Sequence, residues 1–321
     1  MASPRRPWML PLVPLYAAGA ALRWAGVQPR HLKWPVISIG NLSAGGTGKT
    51  PFTIALTQLL QDEGVRVDVL SRGYGRKVSA VERVDPHGDA ARFGDEPLLI
   101  ARATAAPVFV AANRLEAGKM AEEVLAGRPG IHLLDDGFQH RQLARQADIV
   151  LINSADLNDH LLPAGNLREP LSALRRATIF AIPAGDEAAV TKLRALGHHQ
   201  PIWRFHRLMD VPSINAKVVA FCGIARPEQF FTGLEDAGIN IVARHSFRDH
   251  QQFGGAELAA LKNLATRTGA TAFITTAKDH VRLVTMVQEL ERIAPLHVAD
   301  LRIELNDAPA VAAWFKSQRP A

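Results

Sequence analysis

The stretch Ser43-Ala44-Gly45-Gly46-Thr47-Gly48-Lys49-Thr50 follows the apolar run Val36-Ile37-Ser38-Ile39 and opens into Pro51-Phe52-Thr53-Ile54-Ala55-Leu56. A β-branched strand, a glycine-rich turn and a helix start, in that order, constrain the fold more than any other feature of the chain. Glycines let backbone N–H groups curl around an anion without Cβ clashes, and the helix start adds unpaired N–H groups and positive dipole. Lys49 is placed to neutralise β/γ-phosphate charge, and the Thr50 hydroxyl to ligate Mg²⁺. One departure from the usual P-loop is Ser43, which stands five positions before Gly48 where a glycine is expected. Gly45 and Gly46 supply the backbone freedom instead. A glycine-rich turn with a chance Lys-Thr is the plain alternative. The flanking strand and helix favour a nucleoside triphosphate site built from Ser43, Ala44, Gly45, Gly46, Thr47, Gly48, Lys49 and Thr50.

Downstream, apolar strand patterns alternate with helical ones. Val65–Leu70, Pro107–Ala111, Ile131–Leu134 and Asp148–Ile152 read as strands, and Asn113–Leu125 as a helix. Such alternation predicts βαβ units and a mostly parallel sheet covered on both faces, with ligands at the carboxyl ends of its strands. A break around Trp203–Pro212 precedes a second series: strands at Lys217–Phe221, Ile239–Ala243 and Thr271–Thr275, with a helix over Ala256–Ala265. The expected fold class is α/β, a P-loop NTPase-like domain with a second, smaller α/β domain. The expected divisions are 1–30 for an N-terminal interfacial helix, 31–205 for the P-loop domain and 206–321 for the smaller one.

A net charge of +6 favours an acidic partner, whether nucleotide, nucleic acid or anionic membrane, although a solvated basic surface fits the charge equally well. The single cysteine, Cys222, excludes an intrachain disulfide framework or a cysteine-built metal site. At the N-terminus, Arg5-Arg6 precede an apolar, proline-broken segment that Arg23 closes. It is too short to span a bilayer comfortably. A cleaved signal peptide fits poorly, because the strand of an ATP site begins soon after. An interfacial anchor fits better, with Trp8, Tyr16 and Trp24 at headgroup depth and Arg5, Arg6, Arg23 and Arg30 meeting anionic lipid. A helix packed on the protein's own core is the alternative.

Asp135-Asp136 ends a hydrophobic strand, where an acid can hold Mg²⁺ against the β- and γ-phosphates; an Asx turn would use the same residues. Asp95-Glu96 opens a helix, so helix capping competes with a role as the base for an acceptor hydroxyl. Arg72, Arg76, Arg114, Arg141 and Arg168 are candidates for phosphate contacts, Arg168 foremost because its segment is rich in turn residues. His250, in Phe247-Arg248-Asp249-His250, is a candidate proton relay, though a lone histidine more often serves structure.

Six motifs in order now resemble one family: the Ser43–Pro51 loop, Ser71-Arg72-Gly73-Tyr74-Gly75-Arg76, Gly94-Asp95-Glu96-Pro97, Asp135-Asp136-Gly137-Phe138-Gln139-His140, Pro163-Ala164-Gly165 with Leu167-Arg168-Glu169-Pro170, and Phe247 with Asp249-His250. Together they resemble the tetraacyldisaccharide 4'-kinases of Gram-negative lipid A biosynthesis, from the N-terminal apolar helix to about Asp279. The resemblance implies transfer of the ATP γ-phosphate to the 4'-hydroxyl of a tetraacylated glucosamine disaccharide 1-phosphate, giving lipid IVA. It implies two α/β domains around a cleft, and a peripheral or monotopic protein at the cytoplasmic face of the inner membrane, with no nucleic-acid partner. Carried over by motif, Asp95 matches the base and His250 its partner, beside the P-loop Lys49. Asp135 and Asp136 match the Walker B acids, with Glu96 near the metal, and Arg168 matches an arginine at the phosphates. The first P-loop glycine is absent from the family too. Ala277, where the family often has glutamate, leaves that residue's role open. A P-loop switch protein would need an Asn-Lys-x-Asp run, which the chain lacks; a non-catalytic membrane-surface protein would be indifferent to loss of Lys49.

Overall fold

A computed structural model of the 321-residue chain describes residues 6–318 apart from positions 25, 127–128, 250 and 285. A 3-10 turn over Pro7–Leu12 runs into α1 (Val13–Trp24). The central β1 (Val36–Asn41), α2 (Lys49–Asp62) and β2 (Val67–Ser71) follow. The short β3 (Glu82–Arg83) and α3 (Ala90–Phe93) lead to α4 (Asp95–Ala103), β4 (Val108–Val110) and α5 (Arg114–Val124). Next come β5 (Ile131–Asp135), β6 (Ala147–Leu151), α6 (Ser154–Leu157), β7 (Ile179–Pro183), α7 (Glu187–Ala195) and β8 (Ile202–Asp210). The last third holds β9 (Val218–Cys222), α8 (Pro227–Asp236), β10 (Ile241–Ser246), α9 (Gly255–Thr268) and β11 (Ala272–Thr276). It closes with α10 (Ala277–Leu283), α11 (Met286–Glu291), β12 (Leu296–Leu305) and α12 (Ala308–Ser317).

Every residue of β1, β2, β5 and β6 is buried, as strands covered by helices on both faces must be. Among the described residues the strands form one sheet in the order β10-β9-β11-β12-β8-β7-β6-β1-β5-β2-β4-β3. Its pairings are parallel except β3 with β4 and β8 with β12. β1 lies between β5 and β6, with Ile39 in register with Asp135 on one side and Ile149 on the other. The carboxyl ends of β1, β2 and β5 therefore share one rim.

Two features depart from the sequence reading. The break expected over Trp203–Pro212 is largely strand β8, into which the 205/206 division falls. β8 carries Arg204, His206 and Arg207 and is only half-buried, so its own pattern is weak. Its hydrogen bonds come from β7 on one side and β12 on the other, partners distant in sequence. Secondly, residues 206–321 divide between two cores. Val311 and Phe315 of α12 pack with Ile37, Phe52, Leu56 and Phe205, whereas Phe230, Phe231 and Leu234 of α8 pack on β9 and β11. Phe52 of α2 meets Phe205 of β8 edge-on, with ring centroids 5.3 Å apart, which ties the P-loop helix to the strand joining the two halves. Cys222 is fully buried, and burial pushes its thiol up to about 12.

The N-terminal segment keeps its apolar side chains outside. Trp8, Leu15 and Leu22 are each more than 70% exposed, and nothing in the first turn is buried. Tyr16 instead turns its hydroxyl to the Arg168 carbonyl, donating at 3.1 Å. Among the described residues, no helix is long and apolar enough to cross a membrane.

Candidate active site

The turn after β1 closes with Gly48 at φ +84°, a left-handed conformation that suits glycine and aims the first N–H groups of α2 into the loop. Lys49 Nζ donates to Asn41 Oδ1 at 2.9 Å and lies 3.4 Å from Asp136 Oδ1. Asn41 Nδ2 in turn donates to the Ser43 carbonyl at 2.8 Å. The buried loop start is braced from outside by the segment carrying Arg168. Ala44 N donates to the Asn166 carbonyl and Arg168 N to the Leu42 carbonyl, both at 2.7 Å. The hydroxyl of Thr47 is buried with no hydrogen-bond partner among the described residues.

The paired aspartates have opposite electrostatics. Asp135 is 2% exposed and accepts from Thr53 Oγ1 and Ser71 Oγ, each at 3.3 Å. Burial, followed by the neighbouring Glu96 and Asp136 carboxylates, pushes its carboxyl up to about 7. Asp136 sits at φ +47°, a strained position that aspartate tolerates better than most residues. There its carboxylate meets Lys49 and, at 3.0 Å, Arg168 NH1. Burial works against ionisation of Asp136, but the Lys49 and Arg168 cations outweigh it and hold the carboxyl down at about 2.

These residues fit Mg²⁺. Asp135, Asp136, Glu96 and Thr50 line one cavity of about 1220 Å³, and the carboxylate repulsion that adds to burial in raising Asp135 is what a divalent cation relieves. Among the described residues no three His, Cys, Asp or Glu side chains hold a metal by themselves. Mg²⁺ ordinarily takes one or two carboxylates and completes its shell with phosphate and water.

The same cavity is lined by Gly45–Thr50, Arg168, Arg72 and Arg114. Arg141 instead pairs with Glu169 at 2.5 Å, and Arg76 NH2 donates to the Ser79 carbonyl. Ser43 is buried beneath the loop. Gly94, at φ +91°, allows the turn before α4 to approach the Ser71–Arg76 turn; a Cβ there would lie 2.9 Å from Gly73 Cα. Glu96 thereby reaches the cavity wall. Asp95 stands just behind it, 13% exposed and 3.6 Å from Arg282 Nε. His250 lies outside the described residues, and its neighbour Asp249 lines the cavity.

Sequence reasoning missed three cations here. Arg207 of β8 donates from NH2 to the Thr47 carbonyl at 2.6 Å, and its buried Nε has no hydrogen-bond partner among the described residues. No motif marks it, because a sheet pairing places it. Lys278 and Arg282 of α10 reach Glu96 and Asp95. Lys278 directly follows Ala277, noted above, but only the packing of α10 on α4 gives it a partner.

A central parallel strand ending in a glycine loop, a lysine beside paired acids and a cleft over the carboxyl rim define a P-loop α/β protein of the kinase type. A family model described as Tetraacyldisaccharide-1-P 4'-kinase, LpxK, matches residues 5–319, and the chain belongs to that family. It is 44% identical over 318 residues to the tetraacyldisaccharide 4'-kinase of Koribacter versatilis, covering 94% of this chain and 96% of the relative. To that of Geobacter metallireducens it is 38% identical over 325 residues, covering 91% and 92%. The fold is similar to a crystal structure of LpxK from Aquifex aeolicus in complex with ATP, with a TM-score of 0.75 and 28% identity over 98% of this chain and 99% of that one.

Proposed function

We propose that this protein is a tetraacyldisaccharide 4'-kinase. It transfers the γ-phosphate of ATP to the 4'-hydroxyl of a tetraacylated glucosamine disaccharide 1-phosphate, giving lipid IVA, at the cytoplasmic face of the inner membrane. The observation that carries this reading is a shared wall. Tyr16, Gly19 and Ala20 of α1 line the same cavity as Lys49, Thr50 and the paired aspartates. A helix whose outer face is exposed leucine thus borders a phosphate cradle, the arrangement a phosphoryl acceptor on acyl chains requires.

In this reading the loop N–H groups and Lys49 hold the β- and γ-phosphates, while Arg168 braces Asp136 and adds positive charge at the rim. Thr50, Asp135, Asp136 and Glu96 would hold Mg²⁺, which would supply positive charge against the developing negative charge of the phosphates. Asp95, with His250 as its partner, accepts the proton of the 4'-hydroxyl as that oxygen bonds to γ-phosphorus and ADP leaves with the electrons of the broken P–O bond. The deciding experiment incubates protein, ATP, Mg²⁺ and the disaccharide 1-phosphate and follows a singly phosphorylated lipid. Lys49→Ala should cost orders of magnitude in turnover with little loss of stability. Near-normal turnover in a folded Lys49→Ala protein, or ATP hydrolysis indifferent to the lipid, refutes the reading.

A further inference from the structure

Helix α10 presents Lys278 and Arg282 four residues apart, hence on one face, towards the first turn of α4. Lys278 Nζ lies 3.1 Å from Glu96 Oε1 and Arg282 Nε 3.6 Å from Asp95 Oδ2. Consecutive carboxylates of one half thus face cations from consecutive turns of the other.

Arg282 is the more constrained of the two, with a side chain only 5% exposed. Its NH2 donates to the Gly223 carbonyl at 2.7 Å and to the carboxylate of Asp279, and its NH1 donates to the Gln251 carbonyl at 3.2 Å. Asp279 is itself fully buried and fixed by the Gly223 N–H at 3.0 Å and the Thr276 hydroxyl at 2.6 Å. Those contacts neutralise the guanidinium and anchor α10 without using Nε. The Nε–H, with no hydrogen-bond acceptor among the described residues, is the edge turned across the seam to Asp95. Gln251, whose carbonyl the same planar fork holds, immediately follows position 250.

We propose that Arg282 is a positioning residue for proton removal: one rigid guanidinium, ion-paired with the Asp95 carboxylate and hydrogen-bonded to the Gln251 carbonyl, keeps the two in a fixed relation. It acts through Asp95 and not on either substrate, and so rests on the reading of Asp95 as the base. Arginine suits this task because its donors are set in one plane; lysine, a point charge on a flexible stem, cannot span both partners. Misplacement by about 1 Å of a group in the reacting geometry costs on the order of 10²-fold in rate.

Removing Arg282 alone would strand the buried Asp279, so the test pairs Arg282→Gln with Asp279→Asn and uses Arg282→Lys as a second variant that keeps the charge. Each is assayed for kcat, for KM of both substrates and for ATP affinity by equilibrium binding, with and without Asp95→Ala. The expected result is a loss of kcat on the order of 10²-fold in both variants. ATP affinity should be unchanged, and neither variant should lose more once Asp95 is alanine. Full turnover in Arg282→Lys overturns the proposal, as does a loss that persists undiminished in the Asp95→Ala background. In both cases, a crippled Asp95→Ala protein leaves the base assignment standing. Full activity of Asp95→Ala by itself removes the base assignment, and this proposal with it.

Discussion

Replacing Asp135 with asparagine is expected to stabilise the nucleotide-free protein while disabling its chemistry. The carboxyl is 2% exposed, faces Glu96 and Asp136, and is pushed from its ordinary 3.8 up to about 7. The folded chain therefore holds a proton here that the unfolded chain releases. Stability from this group is complete below 3.8, is lost as pH rises to about 7, and is level above. At about 1.4 kcal/mol per decade the full loss is about 4 kcal/mol, and on the order of 2–4 kcal/mol after neighbouring side chains relax. Asparagine keeps the size, still accepts from Thr53 or Ser71, and carries no charge. Urea unfolding in chelator, at about pH 5.5 and about pH 8.5, measures the effect. The wild-type protein should lose about 2 kcal/mol between those conditions through this group, and the variant none of it. Mg²⁺ with ATP should restore the wild-type protein and leave the variant nearly unmoved, because a ligand stabilises only the state that binds it. An Asp135→Asn protein less stable than wild type at the higher pH, or one with the same pH slope, would refute the account of a repelled, buried carboxyl.

Gly94→Ala forces a side chain into φ +91° and to 2.9 Å from Gly73 Cα, so it should cost about 1–3 kcal/mol in urea unfolding and displace Asp95 and Glu96, with a larger loss of turnover than of ATP affinity. Arg207→Gln removes a cation seated on the Thr47 carbonyl and should weaken ATP binding, measured by equilibrium binding; unchanged affinity would make the residue a brace for the loop alone. Glutamate at both Leu12 and Leu15, exposed in the N-terminal segment, should release the protein from anionic vesicles in a sedimentation assay without changing its melting temperature. Retention of that variant would argue against membrane seating through this face.

The phosphate cradle was legible because its geometry is local. A strand, a glycine turn and a helix start are adjacent in sequence, and backbone N–H groups do the binding, so Gly45–Thr50 could be placed before any fold was known. The Asp135-Asp136 pair was legible for the same reason, at the end of an apolar strand. Motif reading also singled out Asp95 and Glu96, with His250 and Mg²⁺ as their partners, but it carried no sign of the cations Arg282 and Lys278 that face them. β8 was illegible because a half-buried strand rich in arginine has no clean period, and its hydrogen bonds come from β7 and β12.

The sequence by itself determined the α/β class, the cradle and the acidic pairs, since periodicity and loop chemistry act over a few residues. Tertiary structure alone decided that Lys278 and Arg282 meet Glu96 and Asp95, that Arg207 rests on the P-loop, and that α12 returns to the first core. It also decided that Asp135 and Asp136, neighbours with the same side chain, titrate near 7 and near 2. Burial and the sign of the nearest charges set those values, and both depend on elements that reach the site from remote parts of the chain.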